Sequence, residues 1–146
     1  MQVTISSYLF AKDLAIRLSN YMQTKGAIVK EEGWTKKGYT IGFEVGKKER
    51  FVLSVYFRLR YEDGEFDNVD SYEVLVAELA FLNPKTSTIN PSEIYRVTAS
   101  TFTNEVSYEF QTLPSEKQKE WLGLIYEGLK DITGFHNMFD TAKYIN

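Results

Sequence analysis

Apolar positions recur along this chain with two different periods, and the change of period marks its elements. From Arg50 to Tyr61 every odd position is apolar or aromatic (Phe51, Leu53, Val55, Phe57, Leu59, Tyr61). The even positions carry Arg50, Val52, Ser54, Tyr56, Arg58 and Arg60. Side chains alternate faces along a strand, so this pattern predicts one long strand with an apolar face on a core. Its other face presents arginines and a tyrosine, and Phe57, midway along the apolar side, is expected in the core. The stretch from Tyr39 to Val45 alternates in the same way, with Tyr39, Ile41, Phe43 and Val45 inward. Gly46-Lys47-Lys48-Glu49 turns the chain between these two strands, and Ala27 to Glu32, closed by Gly33, predicts a third. Together they read as an antiparallel meander.

The period of 3.6 appears at both ends of the chain. Phe10, Leu14, Leu18 and Met22 stack at i, i+4 spacing, with Ala11, Ala15 and Tyr21 widening the stripe. Ser6 or Ser7 is placed to cap this helix, and Gly26 is a natural residue just past its end near Lys25. A closing helix is marked by Ser115 as N-cap and Gln118 three residues on. Its buried stripe is Trp121, Leu122, Ile125, Leu129 and Ile132, and Gly134 ends it. Asn83 to Pro91 reads as a loop held by two prolines, and Ile94–Phe102 with Glu105–Gln111 as a hairpin across Thr103-Asn104.

Ser71 to Leu82 fits both periods. As a strand it puts Tyr72, Val74, Val76, Ala80 and Leu82 on one face and Leu75, Leu79 and Phe81 on the other. As a helix it gathers Tyr72, Leu75, Val76, Leu79 and Leu82, with Asp70 and Glu73 as a capping box. Apolar residues on both sides favour a doubly buried strand. The expected architecture is a single α+β domain: a curved antiparallel sheet of five to six strands with N-terminal and C-terminal helices packed on it. A helical 71–82 would instead give the order αβββαββα.

Composition narrows the function classes. The 146 residues suit one domain with a sizeable core, and ten Phe and ten Tyr serve as core payload or as interface anchors. The absence of cysteine excludes disulfide scaffolds, thiolate metal sites and cysteine nucleophiles, and makes a reducing compartment the easier home. No apolar run reaches the ~20 residues that span a bilayer. Met1 to Ser6 lacks the features of a secretory signal, so the chain reads as cytosolic and independent of membranes.

Charge is unevenly distributed. Residues 34–60 hold seven lysines and arginines against Glu44 and Glu49, whereas residues 61–83 hold seven acids and no base. Segregated charge steers partners. The alternative is that a hairpin folds the two blocks together and they neutralise each other.

The search for chemistry is largely negative. His136 is the single histidine, so a zinc or iron site would rest on carboxylates. Glu62, Asp63, Glu65, Asp67 and Asp70 crowd into nine residues, and Asp63, Glu65 and Asp67 mimic the first alternating positions of a calcium loop. Asn68 then stands where glycine is needed and Val74 where a bidentate glutamate is needed, which favours a solvated acidic loop. No glycine-rich phosphate loop or nucleophile elbow occurs. No cofactor, metal or catalytic set is assigned.

Two binding readings remain. The first is a non-catalytic protein-binding module (an inhibitor, adaptor, immunity-type protein or partner-specific chaperone) with Glu62, Asp63, Glu65, Asp67 and Asp70 facing a protein partner. The second is a ligand or nucleic-acid binder using Tyr56, Arg58 and Arg60, since guanidinium beside an aromatic ring suits stacking on bases. Cross-strand pairing of Arg58 or Arg60 with Glu44 would occupy those arginines instead. An enzyme without a linear motif and a homodimer stay open.

Overall fold

The computed structural model describes residues 5–63, 69–100 and 106–133, with side chains for 9–58, 74–99 and 106–131. Glu65, Asp67, the Thr103-Asn104 turn, Gly134 and His136 lie outside these residues. The order is α1 (Ile5–Thr24), β1 (Ile28–Trp34), β2 (Tyr39–Val45), β3 (Glu49–Asp63), β4 (Val69–Leu82), β5 (Ile89–Ser100), β6 (Val106–Phe110) and α2 (Glu116–Thr133). The six strands form one antiparallel sheet in chain order. Both helices pack on one face of this α+β domain. None of the described helices is long and apolar enough to cross a membrane.

Local chemistry sets the helix ends. Ala27 N–H donates to Met22 O and Gly26 N–H to Gln23 O, and Gly26 takes φ 100°. This is the Schellman pattern, which glycine enters without steric cost. At α2, Ser115 N–H donates to Gln118 Oε1 at 2.8 Å while Gln118 N–H donates to Ser115 Oγ at 3.2 Å, the reciprocal capping box. The Tyr95 hydroxyl donates to the same Gln118 oxygen and ties the start of α2 to β5. At the other end the expected cap is corrected. α1 is already formed at Ile5, so Ser6 and Ser7 lie inside it. Serine is a middling helix former and does not stop the helix.

The segment with two periods is a strand. β4 pairs with β3 on one side, from Phe51↔Phe81 to Asp63↔Val69, and with β5 on the other. Every side chain from Val74 to Phe81 is buried, which is why both faces read apolar. Pro91 falls within β5 rather than in the loop, next to the register shift between Ala80 and Leu82. A proline is tolerated where pairing is already irregular.

The odd positions of β3 from Phe51 to Phe57 face the helices, as the alternation requires. Phe51 is fully buried and its ring lies 5.3 Å from Phe43, 5.5 Å from Phe81 and 5.0 Å from Trp121. Much of the aromatic content is thus core. Phe57 is only partly buried, 5.9 Å from Phe10, because it lies beyond the last β2–β3 pair at Tyr39↔Val55. Tyr21, expected in the α1 stripe, is 37% exposed. α1 and α2 run antiparallel, and a Cβ on Gly128 would sit 2.7 Å from Leu18 Cδ2, so glycine allows their close approach.

Candidate interaction surfaces

The even positions of β3 and β4, the even positions of β5 from Ile94 and the odd positions of β6 form the second face of the sheet. Glu78 is the one charge in the apolar run from Val74 to Phe81, and it is 1% exposed. A buried carboxylate needs donors. It has three: Lys37 Nζ from the β1–β2 turn, Arg96 Nε on β5 at 3.1 Å, and the Tyr56 hydroxyl on β3 at 3.2 Å. Burial, then the charge of Glu78, pushes the Tyr56 phenol above its ordinary value.

Lys37 reaches Glu78 because the turn before β2 lies flat on β3. A Cβ on Gly38 would stand 2.4 Å from Val55 O and 2.7 Å from Tyr56 Cβ, so only glycine permits that approach. From the other side, Arg58 on β3 makes a two-pronged contact with Glu109 on β6, at 3.0 and 3.3 Å. Arg96 Nη1 stands 3.9 Å from the same carboxylate. Long side chains from the turn, β3, β5 and β6 thus bridge the intervening strands and roof the second face, beneath which Val74 and Val76 are buried.

Tyr56 and Arg58 therefore lie on this face inside an internal polar lattice. The expected pairing of Arg58 or Arg60 with Glu44 is not seen for Arg58. Register sets Glu44 opposite Arg50, and Glu44 meets Lys30 at 3.9 Å. Arg58 lies three residues past the last β2 pair, out of reach of that strand. Its Nε is buried without an acceptor, so one donor of the guanidinium is unused. Glu78, Arg96 and Glu109 were not singled out from the sequence, and Lys37 was read there only as a cation that could meet phosphate. Glu78 carried a signal, a lone acid in an otherwise apolar run, but its partners lie 18 to 41 residues away.

The acidic residues sit elsewhere. Among the described residues β4 pairs with β5 only from Val74 onward, and β3 pairs with β2 only as far as Val55. Leu59–Asp63 and Val69–Glu73 thus pair with each other alone among the described residues, as a two-stranded arm beyond the sheet. Arg60 stands opposite Tyr72, Glu62 opposite Asp70, and Asp63 opposite Val69. At the other end of β3, Lys47, Lys48 and Arg50 surround a polar hollow of about 90 Å³ with Asn83, Pro84 and Ser87. None of these three cations has an ion-pair partner among the described residues. Glu49, between them, is taken by Lys117 at the start of α2, at 2.7 Å. The long hairpin therefore sets Lys47, Lys48 and Arg50 at one end of β3 and the acidic arm at the other, while Arg60 stands on the arm itself and Glu78 is drawn into the basic lattice midway. The 15 residues of β3 at ~3.3 Å each put roughly 45–50 Å between the poles.

Among the described residues no group of three or more His, Cys, Asp or Glu is placed to hold a metal ion. A cleft of about 550 Å³ runs along α2 between Lys25 and Tyr108 and is lined also by Glu120, Tyr126 and Glu127. Comparisons with protein-family models, with curated proteins and with solved structures give no match.

Proposed function

We propose that this chain is a cytosolic, non-catalytic protein-binding module that captures a basic surface of its partner with the acidic β3–β4 arm. The observation that carries this reading is the pairing of Glu62 directly opposite Asp70 on a ribbon with no flanking strand among the described residues. Like charges facing each other across a strand pair destabilise it, and an isolated two-stranded ribbon is marginal already. Asp63 and Glu73 add charge to the same ribbon, and Glu65 and Asp67 fall in the sequence between its strands. Selection for stability alone opposes such an arrangement, whereas a basic partner offsets the repulsion. Charge at the far end of a long hairpin also suits electrostatic steering, which speeds association by about 10–10³-fold.

The test compares the wild-type chain with a variant carrying Glu62→Gln, Asp63→Asn, Asp70→Asn and Glu73→Gln. A pull-down from the native host identifies what the wild type retains, and association is then timed for both proteins. The variant should associate at least tenfold more slowly with a flatter salt dependence, while dissociation changes little. Equal association rates would refute the arm as the binding element.

One observation favours the second reading. Arg58 keeps an unused buried donor in a lattice with more cations than carboxylates, so an anionic ligand could replace Glu109 there. Arg58→Ala with Arg60→Ala would then abolish oligonucleotide binding that the arm variant retains.

A further inference from the structure

The two edges of the sheet are built differently. β1 carries Lys30, Glu31 and Glu32 in succession, a register shift between Val29 and Glu31, and Gly33. Charges and bulges on an edge strand discourage further pairing. β6 has no bulge and no run of charges. Its sequence Val106-Ser-Tyr-Glu-Phe110 lacks lysine, proline and glycine, and its register with β5 is unbroken from Tyr95↔Phe110 to Ala99↔Val106. Its one charge, Glu109, is turned to the second face and engaged by Arg58. Among the described residues no strand lies along its outer side. Tyr108 is 45%, Phe110 41% and Leu113 77% exposed beside it. A hollow of about 310 Å³ opens there between Tyr108, Phe110, Leu113, Lys119 and Leu122.

We infer that β6 is a dimerisation edge, which pairs antiparallel with β6 of a second copy about a two-fold axis at Tyr108. The free main-chain groups of an edge call for another strand. The side chains call for a copy of the same one. With Tyr108 on the axis, Val106 of one copy faces Phe110 of the other, and Ser107 faces Glu109. Apolar residues meet apolar ones and no like charges are opposed.

The neighbouring helix is self-complementary in the same register. α2 runs back alongside β6, with Lys119 beside Phe110. Tyr126 stacks on Tyr108 at 5.2 Å, and Glu127 follows it. The two-fold operation carries Lys119 of one copy toward Glu127 of the other. Such an interface is isologous and closes at two copies, so it joins two sheets edge to edge without building fibres. The inference is independent of the acidic arm.

The full chain is examined by sedimentation equilibrium together with hydrogen exchange at rising protein concentration. A dimer is expected, with amides 106–110 exchanging at least tenfold more slowly as dimer fills, while β1 amides keep one rate. Tyr108→Lys should yield monomer at the same concentration, and Trp34→Lys, on the β1 edge, should leave the dimer intact. If Tyr108→Lys fails to fold, the concentration dependence of the wild-type β6 amides decides. A wild-type chain that stays monomeric to ~100 μM, a Kd too weak to matter, would overturn the inference. So would a dimer whose β6 amides exchange at a concentration-independent rate. A strand from another protein as the true occupant would show as that monomer.

Discussion

Phe51 shows how much one side chain can hold. It joins rings from β2, β4 and α2, and it is fully buried. Phe51→Ala removes that volume where three rigid neighbours cannot all collapse, and should cost about 3–5 kcal/mol in urea unfolding. Phe57→Ala should cost clearly less, because Phe57 is only partly buried. Reversal of that order would show the core to be centred elsewhere. Glu78 poses the opposite problem, a charge with almost no access to water. Arg96→Met leaves it with Lys37 and Tyr56 and should cost about 3 kcal/mol, the low end for breaking a buried pair. Adding Glu78→Met should recover part of the loss, since removing both charges is far less costly than stranding one. A double variant less stable than the single would show that the lattice contributes more than its own desolvation.

At the scale of elements, two glycines of α2 make a matched comparison. Nothing lies within 4 Å of a Cβ built on Gly123, whereas one on Gly128 meets Leu18. Alanine is better than glycine in a helix by about 1 kcal/mol, so Gly123→Ala should stabilise by roughly that amount. Gly128→Ala gains the same propensity but overpacks a buried leucine, at about 1–3 kcal/mol. Thermal unfolding should therefore move in opposite directions, by ~2–4 °C per kcal/mol in a chain of this size. The acidic arm has its own signature. Asp70→Asn removes the like charge opposite Glu62 and should raise stability by about 0.2–1 kcal/mol at low salt. At 1 M salt the gain should vanish, because the screening length falls to ~3 Å. A gain that survives high salt would mean the effect is not electrostatic.

At the scale of the whole molecule, two buried phenols link stability to alkaline pH. Tyr56 and Tyr108 both have phenols raised by burial, with Glu78 adding to the first and Tyr126 and Glu127 to the second. A raised acid pKa means that the folded state holds the proton longer than the unfolded one. Their contribution is therefore fully present below the ordinary phenol value of ~10 and is lost as pH rises through the folded values. The urea midpoint should fall above about pH 10, and Tyr56→Phe should make that fall shallower. An unchanged slope would remove Tyr56 from the account. Over the same dimensions, the basic end at Lys47–Arg50 and the acidic arm occupy opposite ends of β3.

What the chain determined by itself were features decided within a few residues. Alternation placed β2 and β3 and oriented both faces, and Gly26 and the Ser115–Gln118 pair marked helix ends through bonds spanning three to five positions. The acidic cluster at 62–70 was equally plain as composition. Tertiary structure decided whatever depended on a second strand. Residues 71–82 satisfy both periods, and they are a strand because β3 and β5 flank them. Phe57 looked central until β2 stopped short of it. Arg58 looked free to bind a ligand until Glu109, 51 residues away, came within 3.0 Å. Register acts over two dimensions, and alternation along one strand carries no information about how far its neighbours extend. The same holds for the edges. Which strands would be left unpaired followed from the order of the whole sheet, and only that order exposed β6 beside its aromatic flank.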